Sequence, residues 1–282
     1  MRIVETKAGL SEVVAGYKGE GARVGFVPTM GALHAGHISL VERSVASCAK
    51  TVVSIFVNPT QFNDPSDLEK YPRTLNEDLA LLQNSGCDVV FVPTVQEIYP
   101  EPDTRVFDLS PLDSVMEGAS RPGHFNGVAQ VVSTLFKAVD PDEAFFGEKD
   151  FQQLAIIRLM VRQLQLPLTI TGCPIVREPD GLAMSSRNRL LTPQLRQSAP
   201  SIFRALNEAS ALGGSLSAEA LRARVISQIN QAPGLSVEYF EVMDADQLTP
   251  VASWESVPRI RGFVAVRAGS IRLIDNVPLG IL

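Results

Sequence analysis

Short apolar runs alternate with helical periodicity over the first 174 residues. Runs rich in Val, Ile and Phe favour buried strands, and Ile38, Val41 and Val45 recur at the spacing of a helix. This alternation predicts a parallel sheet with helices on both faces, whose ligands bind beyond the carboxyl ends of the strands. The predicted strands are 23–27, 51–57, 89–92, 144–146 and 168–171, and further predicted helices cover 75–82, 128–139 and 151–164.

The pattern changes near residue 174. A turn signal, Glu178-Pro179-Asp180-Gly181, separates two extended pieces. Thr192 before a proline, and later Ser217, are typical helix starts, and strands are predicted at 237–242, 263–267 and 271–274. We therefore expect an α/β protein with a Rossmann-like domain in residues 1–174 and a smaller C-terminal α+β lid domain in residues 175–282.

Composition narrows the class of protein. A hydrophobic fraction of 45% and a charged fraction of 20% are ordinary for a globular chain, and a net charge of -6 argues against general attraction to nucleic acid or anionic membranes. No apolar run approaches the roughly 20 residues that span a bilayer, and no signal peptide is evident. The three scattered cysteines have no metal-ligand spacing. They are expected to be buried in a protein of the reducing cytoplasm.

The strongest chemical signal follows the first predicted strand. Two of the three histidines, His34 and His37, stand three apart at a strand-to-helix junction. That spacing places both imidazoles on one face of the first helical turn, where free backbone N–H groups favour phosphate. Gly36 between them lets a flat base approach the backbone. The His-x-Gly-His pattern is shared by nucleotidylyltransferases and class I aminoacyl-tRNA synthetases, whereas no P-loop motif is present.

Two further loops follow predicted strands. Residues 58–62 read Asn-Pro-Thr-Gln-Phe and either offer amides to a substrate or form a plain turn. After the strand at 144–146, Lys149 can reach a phosphate from a helix start. Asp150 either caps that helix or orients Lys149, and Gln153 lies one turn later on the same side.

Two more polar segments have open interpretations. Ser185, Ser186 and Arg187 form either a phosphate clamp over ATP or an ordinary polar loop. Arg121 and His124 lie in a loop before a helix, where they either contact an anionic ligand or belong to a solvated loop with Asn126 as the helix cap.

Taken together, these segments resemble the pantothenate synthetase family over nearly the whole chain. The matching segments appear in the expected order: PTMGALHAGH, NPTQF, YPRT, RPGHFNGV, FFGEKDFQQ and DGLAMSSRN. The resemblance implies a Rossmann-like fold with a lid domain, a homodimer, and ATP-dependent joining of (R)-pantoate to β-alanine. It implies two half-reactions, in which pantoyl adenylate forms with release of pyrophosphate and the β-alanine amine then displaces AMP.

The resemblance also implies roles for individual residues. His34, His37, Lys149 and Arg187 would support catalysis, and Mg²⁺ would bridge the phosphates of ATP. An acidic pair after YPRT has been linked to the metal in the family; here it is Glu77 and Asp78. The implied ATP-binding residues are Met30, Gly36, Gly147, Lys149, Asp150, Ser185, Ser186 and Arg187, and the implied pantoate-binding residues are Gln61 and Gln153.

Three other classes of protein share part of this pattern. A nucleotidylyltransferase that moves AMP or CMP onto a phosphate would share His34 and His37 but should prefer cations to Gln61 and Gln153 in its acceptor pocket. An aminoacyl-tRNA synthetase fragment is disfavoured because no basic anticodon domain is present. A non-catalytic nucleotide-binding module would bind ATP without pyrophosphate exchange.

Overall fold

The computed structural model describes residues 1–63 and 65–280, and its larger sheet contains six parallel strands. They are β1 (Arg2–Val4), β2 (Val24–Thr29), β3 (Lys50–Ile55), β4 (Val89–Phe91), β5 (Glu143–Gly147) and β6 (Thr169–Cys173). Their order is β1-β4-β3-β2-β5-β6. From β2 the chain moves outward through β3 and β4, and then returns to the other side of β2 with β5. The carboxyl ends of β2 and β5 therefore form the switch point at which such sheets bind ligands.

Helices cover both faces of this sheet, as predicted. The helices of this part of the chain are α1 (Lys7–Gly19), α2 (Ala35–Ser47), α3 (Pro65–Lys70), α4 (Leu75–Gln83), α5 (Val95–Ile98), α6 (Met116–Ser120), α7 (His124–Val139) and α8 (Phe151–Gln163). Successive side chains of a strand point to opposite faces, and β2 shows which helix lies on each. A Cβ on Gly25 would lie 2.2 Å from Ser44 Oγ of α2, whereas the next ring, Phe26, packs edge-on against Phe136 of α7 at 6.1 Å.

The predicted strands of this sheet are all present, with ends shifted by at most two residues. The N-terminal β1 and α1 were not predicted. A three-residue strand is too short to show periodicity, and α1 buries only Leu10, Val13 and Val14 among two internal glycines.

The C-terminal part contains a separate antiparallel sheet, as expected for its α+β class. Its strands are β7 (Leu235–Asp244), β8 (Ile260–Ala268) and β9 (Ile271–Leu279), in that order across the sheet. The accompanying helices are α9 (Pro193–Ser198), α10 (Ser201–Leu212) and α11 (Ala218–Asn230). Ser217 caps α11 as predicted, accepting the Ala220 N–H at 3.1 Å. The apolar stripe Leu221, Val225 and Ile229 packs into a core with strand residues such as Phe240 and Val264.

The chain divides into two compact units. The first contains Met1–Glu148 and Gln152–Pro174, and the second contains Lys149–Phe151 and Ile175–Leu282. The sequence suggested one boundary, after residue 174. The short segment Lys149–Phe151 groups with the second unit although its neighbours along the chain on both sides belong to the first.

Candidate active site

The loop that leaves β2 is supported by a buried carboxylate. Asp78, only 1% exposed on α4, accepts the N–H groups of Ala32 at 2.9 Å and Leu33 at 2.7 Å, and the hydroxyl of Thr74 at 3.2 Å. Gly31 has a φ of 78°, and a Cβ there would lie 3.0 Å from Asp78 Oδ2. A residue with no side chain is therefore needed where the loop passes over the carboxylate.

This environment favours a structural role for Asp78 over direct metal ligation, because both of its oxygens already have hydrogen-bond donors. Glu77 lies beside it in the first turn of α4 and is exposed. Among the described residues, no group of three or more His, Cys, Asp or Glu side chains is arranged to hold a metal ion. Mg²⁺ commonly keeps several waters and binds through one or two carboxylates plus substrate phosphates. The donor set here therefore fits an ion carried mainly by a nucleotide.

His34 and His37 form the start of α2. His34 is the N-cap residue, and its Nδ1 accepts the Gly36 N–H at 3.1 Å. His37 Nδ1 in turn accepts the His34 N–H at 3.3 Å, which completes a reciprocal capping arrangement. The ring centroids are 4.1 Å apart, as the spacing predicted.

These contacts define the tautomer of both rings. A neutral imidazole has one acceptor nitrogen and one N–H donor. Because Nδ1 accepts a backbone N–H in His34 and in His37, the proton of each neutral ring is on Nε2. Two imidazole N–H donors thus lie side by side at the N-terminus of a helix of 13 residues. Such donors suit phosphate oxygens.

The loop after β3 carries Gln61 in a largely closed environment. Asn58 is 1% exposed and Gln61 is 9% exposed. The Asn58 amide donates to Gln61 Oε1 and to the Gly127 carbonyl, both at 3.2 Å, while its oxygen accepts the Tyr99 hydroxyl at 2.9 Å. Gln61 Nε2 lies 3.0 Å from the sulfur of Met30, so the β2 and β3 loops meet at these two side chains.

Arg121 and His124 hold the backbone of this same loop. The Gln61 carbonyl accepts His124 Nδ1–H at 2.7 Å and the Arg121 guanidinium at 3.2 Å. The guanidinium also lies 3.2 Å from His124 Nε2, and since arginine is always a donor, Nε2 accepts and Nδ1 is the protonated nitrogen. These interactions assign both residues a supporting role around Gln61. The alternative with Asn126 as a cap is wrong, because α7 begins at His124 after Gly123 and Asn126 bonds Arg105 and Phe107.

The two adjacent glutamines of α8 differ in their environment. Gln152 is buried and its amide group holds the carbonyls of Leu112 and Val115 and the N–H of Glu117. The side chain of Gln153 is half-buried and has no hydrogen-bond partner within residues 1–63 and 65–280. Gln152 is thus structural, and Gln153 keeps the capacity to bind a ligand.

Within the second unit, Lys149 lines a small cavity. Its Nζ is 3.7 Å from Asp150 Oδ2, and Asp150 is about half exposed. The cavity has a volume of about 10 Å³, roughly the space of one water molecule. Its polar lining residues are Lys149, Ser185, Asn188 and Asp275.

The segment 185–190 is ordered by a cap of its own. Ser185 precedes the 3₁₀ helix Ser186–Leu190 and its hydroxyl accepts the Arg187 N–H at 3.3 Å. Ser186 is buried, whereas Arg187 is half-buried. Gly147, at the end of β5, has open space where a Cβ would be.

Thiol chemistry is disfavoured by the environment of the cysteines. Cys48, Cys87 and Cys173 are all buried and free, as predicted. Burial raises the pKa of Cys87 to about 12 and raises the pKa of the other two thiols as well. The thiolate is the nucleophile, so burial disfavours the reactive form of all three cysteines.

No helix within the described residues is both long and apolar enough to cross a membrane.

The fold and the paired histidines at its switch point define a Rossmann-like α/β protein of the nucleotide-binding type.

Comparison with known proteins identifies the family. The family model for pantoate-beta-alanine ligase matches residues 2–278. The pantothenate synthetase of Bacteroides thetaiotaomicron is 54% identical over 277 residues, which is 98% of each chain, and that of Porphyromonas gingivalis W83 is 54% identical over 98% of this chain and 99% of its own. The chain belongs to the pantoate–β-alanine ligase family and is an enzyme of that family, which confirms the resemblance seen in its sequence.

Solved structures agree with this assignment. The crystal structure of pantothenate synthetase from Thermus thermophilus matches with a TM-score of 0.92 at 45% identity, over 98% of this chain and 99% of that chain. The ligase from Francisella tularensis, complexed with beta-gamma ATP and beta-alanine, matches with a TM-score of 0.84 at 33% identity, over 99% of this chain and 97% of that one.

Proposed function

We propose that this ligase joins (R)-pantoate to β-alanine through a pantoyl-adenylate intermediate, with ATP as co-substrate. The observation that carries the proposal is the pair of Nε2–H donors on His34 and His37 at the start of α2, beside the Gln61 loop. In the first half-reaction, a pantoate carboxylate oxygen attacks the α-phosphorus and the bond to pyrophosphate breaks. In the second, the neutral amine of β-alanine attacks the acyl carbon, AMP leaves, and the nitrogen loses a proton.

This chemistry asks for positioning and charge stabilisation, because the substrate carboxylate is itself the nucleophile. We assign His34 and His37 to the negative charge that develops on the phosphate oxygens. We assign Lys149, Ser185, Ser186 and Arg187 to the other phosphate oxygens, with Arg187 following the leaving pyrophosphate. The burial of all three cysteines is consistent with a reaction that forms no covalent enzyme intermediate.

Gln61 and Gln153 are proposed to bind pantoate through their amide groups. Gln61 is supported at its side chain by Asn58 and at its carbonyl by His124, so it is held before substrate arrives. Met30, Gly36, Gly147 and Asp150 complete the proposed nucleotide contacts. Mg²⁺ bound to the ATP phosphates would neutralise part of their charge.

The family resemblance further predicts a homodimer, a cytoplasmic location and a lid role for the second domain. These stay predictions. Sedimentation at micromolar concentration tests the first. Limited proteolysis of residues 185–187 with and without ATP tests the third, since equal cleavage in both conditions would count against closure.

The deciding measurement is exchange of labelled pyrophosphate into ATP with Mg²⁺ and pantoate but without β-alanine. We expect exchange only when pantoate is present. Replacement of His34 or Lys149 by alanine should lower it roughly 10²–10³-fold, the cost of one lost transition-state donor, with the fold intact. Tight ATP binding without pantoate-dependent exchange would instead favour another acid, a phosphate acceptor or a non-catalytic nucleotide binder.

A further inference from the structure

A buried asparagine of β9 holds the backbone of Lys149. Asn276 is 2% exposed, and its Nδ2 donates to the Lys149 carbonyl at 3.0 Å across 127 positions of the chain. Its Oδ1 accepts the guanidinium of Arg261 on β8. A buried amide needs partners for both ends, so Asn276 joins the lysine backbone to the sheet of the second unit.

The other end of the segment Lys149–Phe151 is fixed by ring contacts. The Arg261 guanidinium lies over the Phe151 ring, 4.2 Å from its centroid, and Phe151 packs against Phe263 at 5.7 Å. Both phenylalanines are buried. Arg261 therefore contacts the Phe151 ring and also the amide of Asn276. That amide in turn holds the backbone of Lys149, two positions before Phe151.

A buried charge lies close to the lysine side chain as well. Asp275, the neighbour of Asn276, lines the same cavity as Lys149 and is 4% exposed. Burial raises the pKa of Asp275, and the charges of Arg177 and Lys149 oppose that rise. The carboxyl group of Asp275 thus lies near the Lys149 side chain, and β9 carries both Asp275 and Asn276, the residue that holds the Lys149 backbone.

We propose that Asn276 is a positioning residue for Lys149, which it places for the phosphates of ATP through the hydrogen bond to the lysine carbonyl. The inference rests on the proposed function of Lys149, but the anchor itself is a property of the fold. It explains why Lys149–Phe151, a short segment that ends on the first residue of α8, belongs to the second unit.

Three variants test the anchor. Asn276→Ala removes both hydrogen bonds, and Asn276→Asp keeps an acceptor for Arg261 while it removes the donor to Lys149. Trp254→Phe is the matched control, because it deletes another side-chain donor to a backbone carbonyl of the second unit, that of Leu216, far along the chain from Lys149.

Hydrogen exchange of the intact protein measures the effect of each variant. We expect amides 149–151 to exchange roughly tenfold faster in both Asn276 variants and at an unchanged rate in Trp254→Phe. Equal protection in all three would overturn the proposal, whether or not the enzyme adenylates pantoate.

Pyrophosphate exchange then tests whether the anchor acts through Lys149. We expect Asn276→Ala and Asn276→Asp to lower the maximal rate by roughly tenfold or more with the KM for pantoate unchanged. The double variant with Lys149→Ala should exchange at the rate of Lys149→Ala alone, since coupled residues are not additive. Effects that multiply would show that Asn276 acts elsewhere. A wild-type enzyme without pantoate-dependent exchange would refute the proposed function and leave the hydrogen-exchange result to judge the anchor.

Discussion

The carboxylate of Asp78 accepts the backbone N–H of Leu33 at 2.7 Å, so one buried side chain of α4 supports the loop that leads to the histidine pair. The neighbouring N–H of Ala32 bonds the other oxygen. Leu33 and Ala32 are themselves fully buried or nearly so. The loop is thus stabilised by hydrogen bonds to the Asp78 carboxylate and by the burial of its own side chains, and His34 follows it directly.

Replacement of Asp78 by asparagine should destabilise this loop. One oxygen becomes an NH₂ group and faces a backbone donor, which costs about 1–3 kcal/mol of unfolding free energy and should also slow pyrophosphate exchange. Thermal unfolding and exchange at rising Mg²⁺ measure the two effects. The metal-binding alternative predicts that Glu77→Gln also slows exchange and that excess Mg²⁺ restores activity to either variant.

The two nitrogens of His37 can be tested separately. Asparagine can supply an acceptor in place of Nδ1, whereas glutamine extends an N–H donor to about the reach of Nε2. We expect His37→Asn to keep the melting temperature within a few degrees and to lose roughly 10²–10³-fold in exchange, while His37→Gln retains more activity. Equal exchange rates in the two variants would contradict the assignment of Nε2 as the functional donor.

Gly127 is a helical glycine at which substitution by alanine should not stabilise the protein. Alanine is usually better than glycine inside a helix by about 0.5–1 kcal/mol. A Cβ at Gly127, however, would lie 2.6 Å from the Thr60 carbonyl, so Gly127→Ala should destabilise the protein and raise the KM for pantoate by moving Gln61. Gly16→Ala is the control in α1, where a Cβ meets nothing within 4 Å, and urea denaturation should show it to be stabilising.

The buried ion pair of the second unit gives a pH-dependent prediction. Arg177 contacts Asp275 through two nitrogens, at 2.6 and 3.0 Å. Arg177→Met leaves the carboxylate unpaired and should cost about 3–5 kcal/mol near pH 7. Arg196→Met removes a more exposed partner, that of Asp180, and should cost no more than about 1 kcal/mol.

The cost of Arg177→Met should shrink as the pH falls. Burial already raises the pKa of Asp275 against the pull of Arg177, and loss of the arginine raises it further. The folded variant then binds a proton at a higher pH than the unfolded chain, so it regains stability relative to wild type as the pH falls through that pKa. Denaturant unfolding at several pH values measures this, and a deficit independent of pH would contradict it.

The sequence was most informative where structure and chemistry are local. The approach of His34 and His37 followed from a spacing of three at a strand-to-helix junction, and the cap at Ser217 followed from the residue type alone. Both depend on neighbours within one helical turn. The sequence predicted a parallel sheet but not the order of its strands, because pairing between β2 and β5 joins segments more than 100 residues apart.

The residues that hold the site residues in place could not be predicted from the sequence, because their contacts also join segments far apart along the chain. Nothing near Asn276 indicates that its amide meets the Lys149 carbonyl, and nothing near His124 indicates that its ring meets the Gln61 carbonyl. The family resemblance suggested Asp78 as a metal ligand, whereas its burial and its hydrogen bonds to the β2 loop, which favour a structural role, could not be seen in the sequence. A weak signal did exist for Asp275 and Asn276, since two adjacent polar residues interrupt an apolar strand.

The membership of Lys149–Phe151 in the second unit bears on how this polypeptide can be dissected. A cut after residue 174 would leave Lys149 on the first fragment and Asn276, Arg261 and Phe263 on the second. The first fragment would carry the lysine without the side chains that hold it, and the second would expose a buried amide and an aromatic face. A cut after residue 174 is therefore a poor place to divide the chain, because the first piece would carry three residues that pack within the second unit.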